Sequence, residues 1–151
     1  MPHNVSGYGL VVTLAASVTF PQGLTITQFA DDSDPFDSAA TPIAEAASGV
    51  NGDLVVWSKA APIPATLSLI AGSEDDYNLA ALYEANRPSK NKVPAGDEIT
   101  MTVIYPDGSS ETATGGALLS GPPMRSVASS GKQKARQYIF AFEDRVQAAT
   151  E

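Results

Sequence analysis

Four aspartates stand close together in the segment QFADDSDPFDS, which runs from Gln28 to Ser38. Carboxylates at such short spacing could ligate Ca²⁺ or supply a pair of acids for hydrolysis. An EF-hand loop is not matched, because with Asp32 as its first position Phe36 takes the fifth and Ile43 the twelfth. Adjacent aspartates on a turn stay solvated, so catalysis is not favoured either. A looser, irregular Ca²⁺ site remains an alternative.

The rest of the composition narrows the chemistry further. The chain has no Cys and a single His, His3, so thiolate catalysis, disulfides and a zinc site are not expected. Phosphate-binding GxxxxGK[ST] and GxGxxG motifs are missing, and no run of 18 apolar residues predicts a membrane span. We therefore expect no enzymatic activity, no cofactor, no resident metal and no membrane partner.

Acidic and basic residues are concentrated in different parts of the chain, whose formal net charge is -8. No Lys or Arg precedes Lys59, whereas the interval between Glu111 and Glu143 contains basic residues and no acidic ones. Two solvated surfaces would explain this pattern. Alternatively, the acidic part of one copy contacts the basic segment of the next, which builds rings or filaments. Nucleic-acid binding is not favoured, because an acidic protein repels phosphate over most of its surface.

Most of the hydrophobic pattern predicts strands. Turn signals at FPQG, Asn51-Gly52 and Asp107-Gly108 predict three hairpins, which cover residues 10–29, 43–58 and 98–117. Two further strands are predicted at ATLSLI, after Pro64, and at the closing QYIFAFED. The Ser-, Gly- and Pro-rich residues 119–135 read as a flexible loop.

One segment has the pattern of a helix. Ser73 is a good N-cap, three acidic residues follow it in the first turn, and Leu79, Leu82 and Tyr83 share one face. Together these elements predict a mainly β fold in a single domain over residues 1–151, a β-sandwich or β-barrel with one flanking α-helix.

The order of these signals resembles a known family. ITQFADD with Asp34 and Phe36 is followed by GVNGD, and then by LSLIAGSEDDYNLAALYEANR, a strand that runs into a Ser-capped helix. This order is similar to that of the inner tail-tube proteins of contractile bacteriophages, which are related to the tubes of type VI secretion and other contractile injection systems. The hairpin at 98–117 and the aromatic closing strand extend the resemblance over most of the chain.

The resemblance implies a structural virion protein of the phage tail. Its subunits would form hexameric rings, join strands into one continuous ring-shaped β-barrel, and stack into a hollow tube inside a sheath. The implied partners are further copies, the sheath protein, baseplate and tail-terminator proteins, and double-stranded DNA that passes through the lumen without specific binding. Residues 30–53 would form an extended inter-ring loop and hairpin, and residues 1–7 and 146–151 would be flexible tails.

Eleven residues make up the expected contact between copies. They are Asp31, Asp32, Asp34, Pro35, Phe36, Asp37 and Asp53 on the acidic side, and Arg125, Lys132, Lys134 and Arg136 on the basic side. Two alternatives share the fold but not the role. One is a terminator or initiator ring of the tail, which stops after one layer, and the other is a Ca²⁺- or carbohydrate-binding β-sandwich module.

Overall fold

A computed structural model describes residues 9–30 and 34–148 of the chain. Ten strands and one helix follow one another in it. They are β1 (Val11–Ala16), β2 (Phe20–Ile26), β3 (Phe36–Asp37), β4 (Ala44–Ser48), β5 (Leu54–Ser58), β6 (Ile63–Leu69), α1 (Glu74–Asn86), β7 (Ile99–Ile104), β8 (Ser110–Ser120), β9 (Arg136–Phe142) and β10 (Asp144–Ala148). The helix is too short and too polar to cross a membrane.

The long strand β8 joins two antiparallel layers. Its first half pairs with β7 on one side and β10 on the other, and its second half pairs with β9. The strand order is β2-β1-β7-β8-β10 in the first layer and β8-β9-β6-β3 in the second. Gly116 lies where β8 bends, and a Cβ there would stand 2.2 Å from Cδ1 of Phe142. The predicted mainly β fold with one helix is confirmed.

Alternating side chains of both layers form the core, as the pleat of a half-buried strand requires. Val12, Leu14 and Ala16 of β1 point inward, and Tyr138, Phe140 and Phe142 of β9 meet them from the second layer. Leu79 and Leu82 of α1 are fully buried, while Tyr83 packs against the core from its edge. The helix therefore covers one side of the sandwich with the face that its sequence predicted.

The first hairpin turns earlier than the sequence predicted. Residues 17–19 form the turn, whereas the FPQG segment lies inside β2. A distant carboxylate fixes this turn: Asp97 accepts hydrogen bonds from the backbone N–H groups of Val18 at 2.7 Å and Thr19 at 2.9 Å. The hydroxyl of Thr19 donates a third bond to Asp97 at 2.5 Å. Long-range capping thus overrides the local preference of Pro21 for a turn.

The other two hairpins lie where they were predicted, and each turns at a single left-handed glycine. At Asn51-Gly52 only Gly52 has a positive φ, of 87°, and its N–H donates to the carbonyl of Gly49. Asp107-Gly108 repeats the arrangement, because Gly108 has φ of 92° and donates to Tyr105. Both are type I turns followed by a left-handed glycine, so one positive φ is enough.

The basic segment is more ordered than predicted. Strand β8 continues to Ser120, and a short hairpin follows in which Lys134 donates its backbone N–H to Ser126 and Ala128 donates to Lys132. At the end of the chain, residues 146–148 belong to β10. The other residues of the two expected tails, 1–7 and 149–151, lie outside the described residues.

Ser73 caps α1 as predicted, and its hydroxyl oxygen accepts a hydrogen bond from the backbone N–H of Asp76 at 3.2 Å. We expect Ser73→Ala to lower the free energy of unfolding by about 1 kcal/mol, because an N-terminal donor of the helix loses its acceptor. Urea denaturation monitored by circular dichroism would measure it. Ser73→Thr, which keeps the hydroxyl, is the matched control, and equal losses for both variants would contradict a capping role.

Candidate assembly surfaces

The β4–β5 hairpin is the most exposed part of the described chain. Its two strands pair with each other only, and all ten of their residues are solvent-exposed. Four of them are large and apolar, from Leu54 at 70 % exposed to Trp57 at 47 %. Because an isolated two-stranded ribbon is at best marginally stable, and apolar patches of this size mark interaction sites, the hairpin is a candidate assembly surface.

The two faces of the hairpin differ in charge. Leu54 and Val56 point to one face, which we call the apolar face, where their cross-strand partners are Ser48 and Ala46. The opposite face carries Val55 and Trp57, and at its base Lys59 forms an ion pair with Glu45 at 2.9 Å. On the apolar face the bulky side chains lie on β5 and their small cross-strand partners on β4, so β5 protrudes beyond β4.

The acidic residues of the expected contact lie in different settings. Asp34, Asp37 and Asp53 are exposed, and Asp53 is at the base of the hairpin turn. Phe36 instead lies in β3, where it pairs with Leu67 of β6, and it packs against the core of its own chain. Pro35 adjoins it.

The carbonyl of Pro35 accepts a hydrogen bond from the backbone N–H of Ser68 at 3.1 Å. Phe36 therefore stabilises the monomer and is not free to act as an apolar anchor for a neighbour. Asp31 and Asp32 lie outside the described residues. Among the residues that the structure does describe, no three acidic or His side chains come close enough to hold a metal ion.

Arg125, Lys132 and Lys134 form the exposed basic side. The guanidinium of Arg125 lies 5.1 Å from the ring centroid of Tyr77. A hydrogen bond with the Tyr77 hydroxyl raises the pKa of Arg125 above its ordinary value. Arg125 and Lys132 line a pocket of about 270 Å³ next to Ala30, the last described residue before the acidic cluster. The structure thus brings Arg125 and Lys132 close to Ala30 within one chain.

Arg136 has to be corrected, because its guanidinium lies inside its own chain. Its Nε lies 3.3 Å from Oδ1 of Asp76 without a hydrogen-bond geometry, and its other nitrogens donate to Asp76 at 3.5 Å and to the carbonyl of Pro122 at 2.8 Å. Asp76 also accepts from the hydroxyl of Tyr138 at 2.9 Å and the N–H of Gly72 at 2.9 Å. We therefore leave Arg136 out of the contact proposed below.

Sheet edges are a further candidate surface. In the described chain β2 pairs with β1 alone and β10 with β8 alone, so each has an unpaired edge, at opposite ends of the same layer. All five residues of β10 are exposed. Unpaired backbone donors and acceptors of this kind are templates for strands of another chain.

Sequence reasoning missed two of these features. Asp76 was predicted only as an acidic residue of the first helical turn, and its burial was not foreseen; Arg136 and Tyr138, two positions apart on a strand, offered the only signal of a partner. The exposed apolar side chains of β5 were also missed: the pattern predicted a hairpin at residues 43–58, and the resemblance gave residues 30–53 an inter-ring role that rested on the acidic residues and Phe36. Their signal was the run LVVW, which puts large apolar residues on both faces rather than alternating with polar ones.

Comparison with known proteins identifies the family. The family model described as tail fiber protein gp32 matches residues 3–146. The chain belongs to that family. Among curated proteins, none matches this gp32-family chain.

Solved structures share the fold of this gp32-family member at low sequence identity. The sheath/tube terminator of the PVC extracellular contractile injection system is 10 % identical over 99 % of both chains, with a TM-score of 0.54. The tube-terminating cap of the anti-feeding prophage is 14 % identical over 99 % of this chain and 94 % of its own, with a TM-score of 0.51. A chain of the PVC sheath-tube complex is 12 % identical over 99 % and 95 %, with a TM-score of 0.52.

These findings support the resemblance seen in the sequence only in its general form. The gp32 family is a family of tail proteins, and the fold is the one found in contractile injection systems. A tail component is therefore supported. The inner tube is not singled out, because terminator and cap chains share the fold as well as a chain of the sheath-tube complex does.

Proposed function

We infer that this gp32-family member is a structural ring subunit of a contractile tail, of the type that terminates the tube, and not an enzyme. Its family is one of tail proteins, and two of its fold relatives are described as a tube-terminating cap and a sheath/tube terminator. One observation carries the assembly role: the β4–β5 hairpin exposes large apolar side chains on both faces. Another subunit has to cover them.

A closed ring uses the two unpaired edges. The edge of β10 in one copy joins the edge of β2 in the next, and six such joins close a continuous β-barrel in which this layer has no edge left. The tube, the sheath and the baseplate are the neighbours of such a ring, in a virion tail assembled inside the host cell. The formal charge of -8 per chain suits a lumen through which DNA passes, because captured phosphates would slow ejection.

A contact between neighbouring copies is held by the attraction of opposite charges. Asp34, Asp37 and Asp53 are exposed on the acidic side, and Lys134 on the basic hairpin, with Arg125 and Lys132 beside it. Asp31 and Asp32 complete the acidic set. Opposite charges steer such a contact and fix its register, and salt weakens it because the Debye length is about 8 Å at physiological ionic strength.

Charge reversal tests this contact. We expect Lys134→Glu to weaken the association of copies severalfold at low salt, since a repulsive pair replaces an attractive one. Lys90→Glu, the same change at an exposed lysine outside the contact, should associate normally. The double variant Asp37→Lys with Lys134→Glu should recover part of the loss. Sedimentation velocity at two salt concentrations measures all three, and equal effects of Lys134→Glu and Lys90→Glu would place the contact elsewhere.

A second candidate is the inner tube itself. It is supported by the likeness to a chain of the PVC sheath-tube complex, which covers 95 % of that chain. The two candidates differ in what limits growth: a tube subunit polymerises without limit, whereas a terminator stops after one layer.

Electron microscopy separates the two. Negative-stain images of the purified protein, taken at low and high salt and at rising concentration, should show closed rings whose height does not grow. Long tubes would establish the inner-tube candidate instead. Monomers under every condition would overturn both candidates, and light scattering on the same samples gives the mass of the ring.

A further inference from the structure

A groove of about 460 Å³ opens beside the point where the β4–β5 hairpin leaves the body of the chain. Its walls come from the segment after β5, from the bend of β8 and from the end of β9. Small residues dominate the lining, which includes Ala60, Pro62, Gly115, Gly116, Ala117 and Ala141. Glu143 at the rim is its one charged residue.

The fold of the monomer requires only some of the small residues that line this groove. Gly116 has to be small, because Phe142 fills the space where its side chain would stand. Ala60 and Ala117, in contrast, are exposed positions where the monomer would accept a larger side chain. Their small side chains keep the groove open, although the fold of the monomer does not require them to be small.

The hairpin of the same chain cannot fill the groove. Its strand ladder continues through Lys59, whose backbone N–H donates to the carbonyl of Ile43, and the groove wall begins at the next residue. At about 3.3 Å per residue, Val56 lies about 13 Å along the strand from Ala60 and Leu54 lies farther still. An occupant with the chemistry of this hairpin has to come from a second copy.

We propose that the apolar face of the β4–β5 hairpin of one copy docks in the small-residue groove of the next copy. On the apolar face Leu54 is 70 % and Val56 is 57 % exposed, and large apolar side chains left open in this way mark interaction sites. Leu54 and Val56 supply bulk where the groove lacks it. The hairpin carries only Glu45, Asp53 and Lys59, so docking it against a chain of charge -8 meets little repulsion.

Donor and acceptor surfaces lie at different places on each copy, so the contact is heterologous and continues from copy to copy. This inference rests on the proposed ring and adds a second join between neighbouring copies, besides the pairing of β10 with β2. Each copy inserts its hairpin into one neighbour and receives the hairpin of the other.

Cysteine cross-linking tests the join, because the natural chain has no Cys. Val56→Cys with Ala117→Cys, both exposed positions, should give a ladder of covalent multimers with a short bismaleimide. A mixture of the two single variants should stop at dimers. Val55→Cys with Ala117→Cys is the matched control, and it should stay monomeric because Val55 points to the opposite face. Ala117→Phe should fill the groove and abolish ring assembly while the thermal midpoint of the monomer is kept.

The outcomes are distinguishable by imaging the same samples. Rings without the ladder, a cross-link within one chain, or equal ladders from Val55→Cys and Val56→Cys would overturn the join and leave the ring standing. Failure of the natural chain to form any ring would overturn both.

Discussion

Asp76→Ala should lower the free energy of unfolding by about 3–5 kcal/mol, because it leaves the guanidinium of Arg136 buried without its counter-charge. Asp76 has no exposed surface, and its carboxylate also accepts bonds from the hydroxyl of Tyr138 and the backbone of Gly72. Domains of this size are stable by about 5–15 kcal/mol, so the variant loses a large share of the total. Urea denaturation monitored by Trp57 fluorescence and circular dichroism would measure the loss.

Two controls give this experiment its meaning. Glu84→Gln breaks the ion pair with Arg87, which holds the pKa of Glu84 at about 2, but that pair is fully exposed and its loss should barely change stability. Asp76→Ala with Arg136→Met removes both charges and should be more stable than Asp76→Ala alone. If the double variant were less stable than the single one, the unpaired charge would not be the cause.

Asp97→Ala should lower the free energy of unfolding by about 3 kcal/mol, since bonds to a charged group contribute roughly 1.5–3 kcal/mol each and several donors lose their acceptor at once. The carboxylate ties the β1–β2 turn to the end of the helix. There the side-chain amide of Asn86 donates to the carboxylate at 2.8 Å, and its oxygen accepts from the backbone N–H of Asp97 at 3.0 Å. In thermal and urea unfolding, the whole cooperative transition should shift to lower temperature and lower urea concentration, because the loss is not confined to local fraying of the turn.

Acidity should reveal the same carboxylate. Burial by itself raises the pKa of Asp97, but the hydrogen bonds from Thr19, Asn86 and Val18 outweigh it and hold the pKa below the ordinary value of 3.8. The stabilisation is therefore complete above pH 3.8 and is lost as the pH falls towards the folded-state pKa, where the unfolded chain binds the proton first. Asp97→Asn should lose less stability than Asp97→Ala and show a weaker decline in acid. An unchanged acid slope would contradict the assignment.

Local patterns were enough for most elements of this fold, but not for the short β3 or for β10, part of which was expected to be a flexible tail. Alternation marked β1, β7 and β9, the turn glycines marked two hairpins, and Ser73 marked the start of the helix, because each signal depends on neighbours within a few residues. The same kind of reasoning misplaced the first turn. There the deciding group, Asp97, lies 78 residues from Thr19 in the chain.

The sequence by itself therefore determined a mainly β domain with one capped helix, the absence of thiol chemistry, and a division of charge. Only the tertiary structure decided what each charged group does. It buried Asp76 with Arg136, 60 residues apart, and left Asp34, Asp37 and Lys134 exposed, although all five are ordinary charged residues in the sequence. It also turned Phe36 inward and the LVVW run outward. Burial depends on which strands meet in space, and that is set by long-range pairing which no short segment of the chain contains.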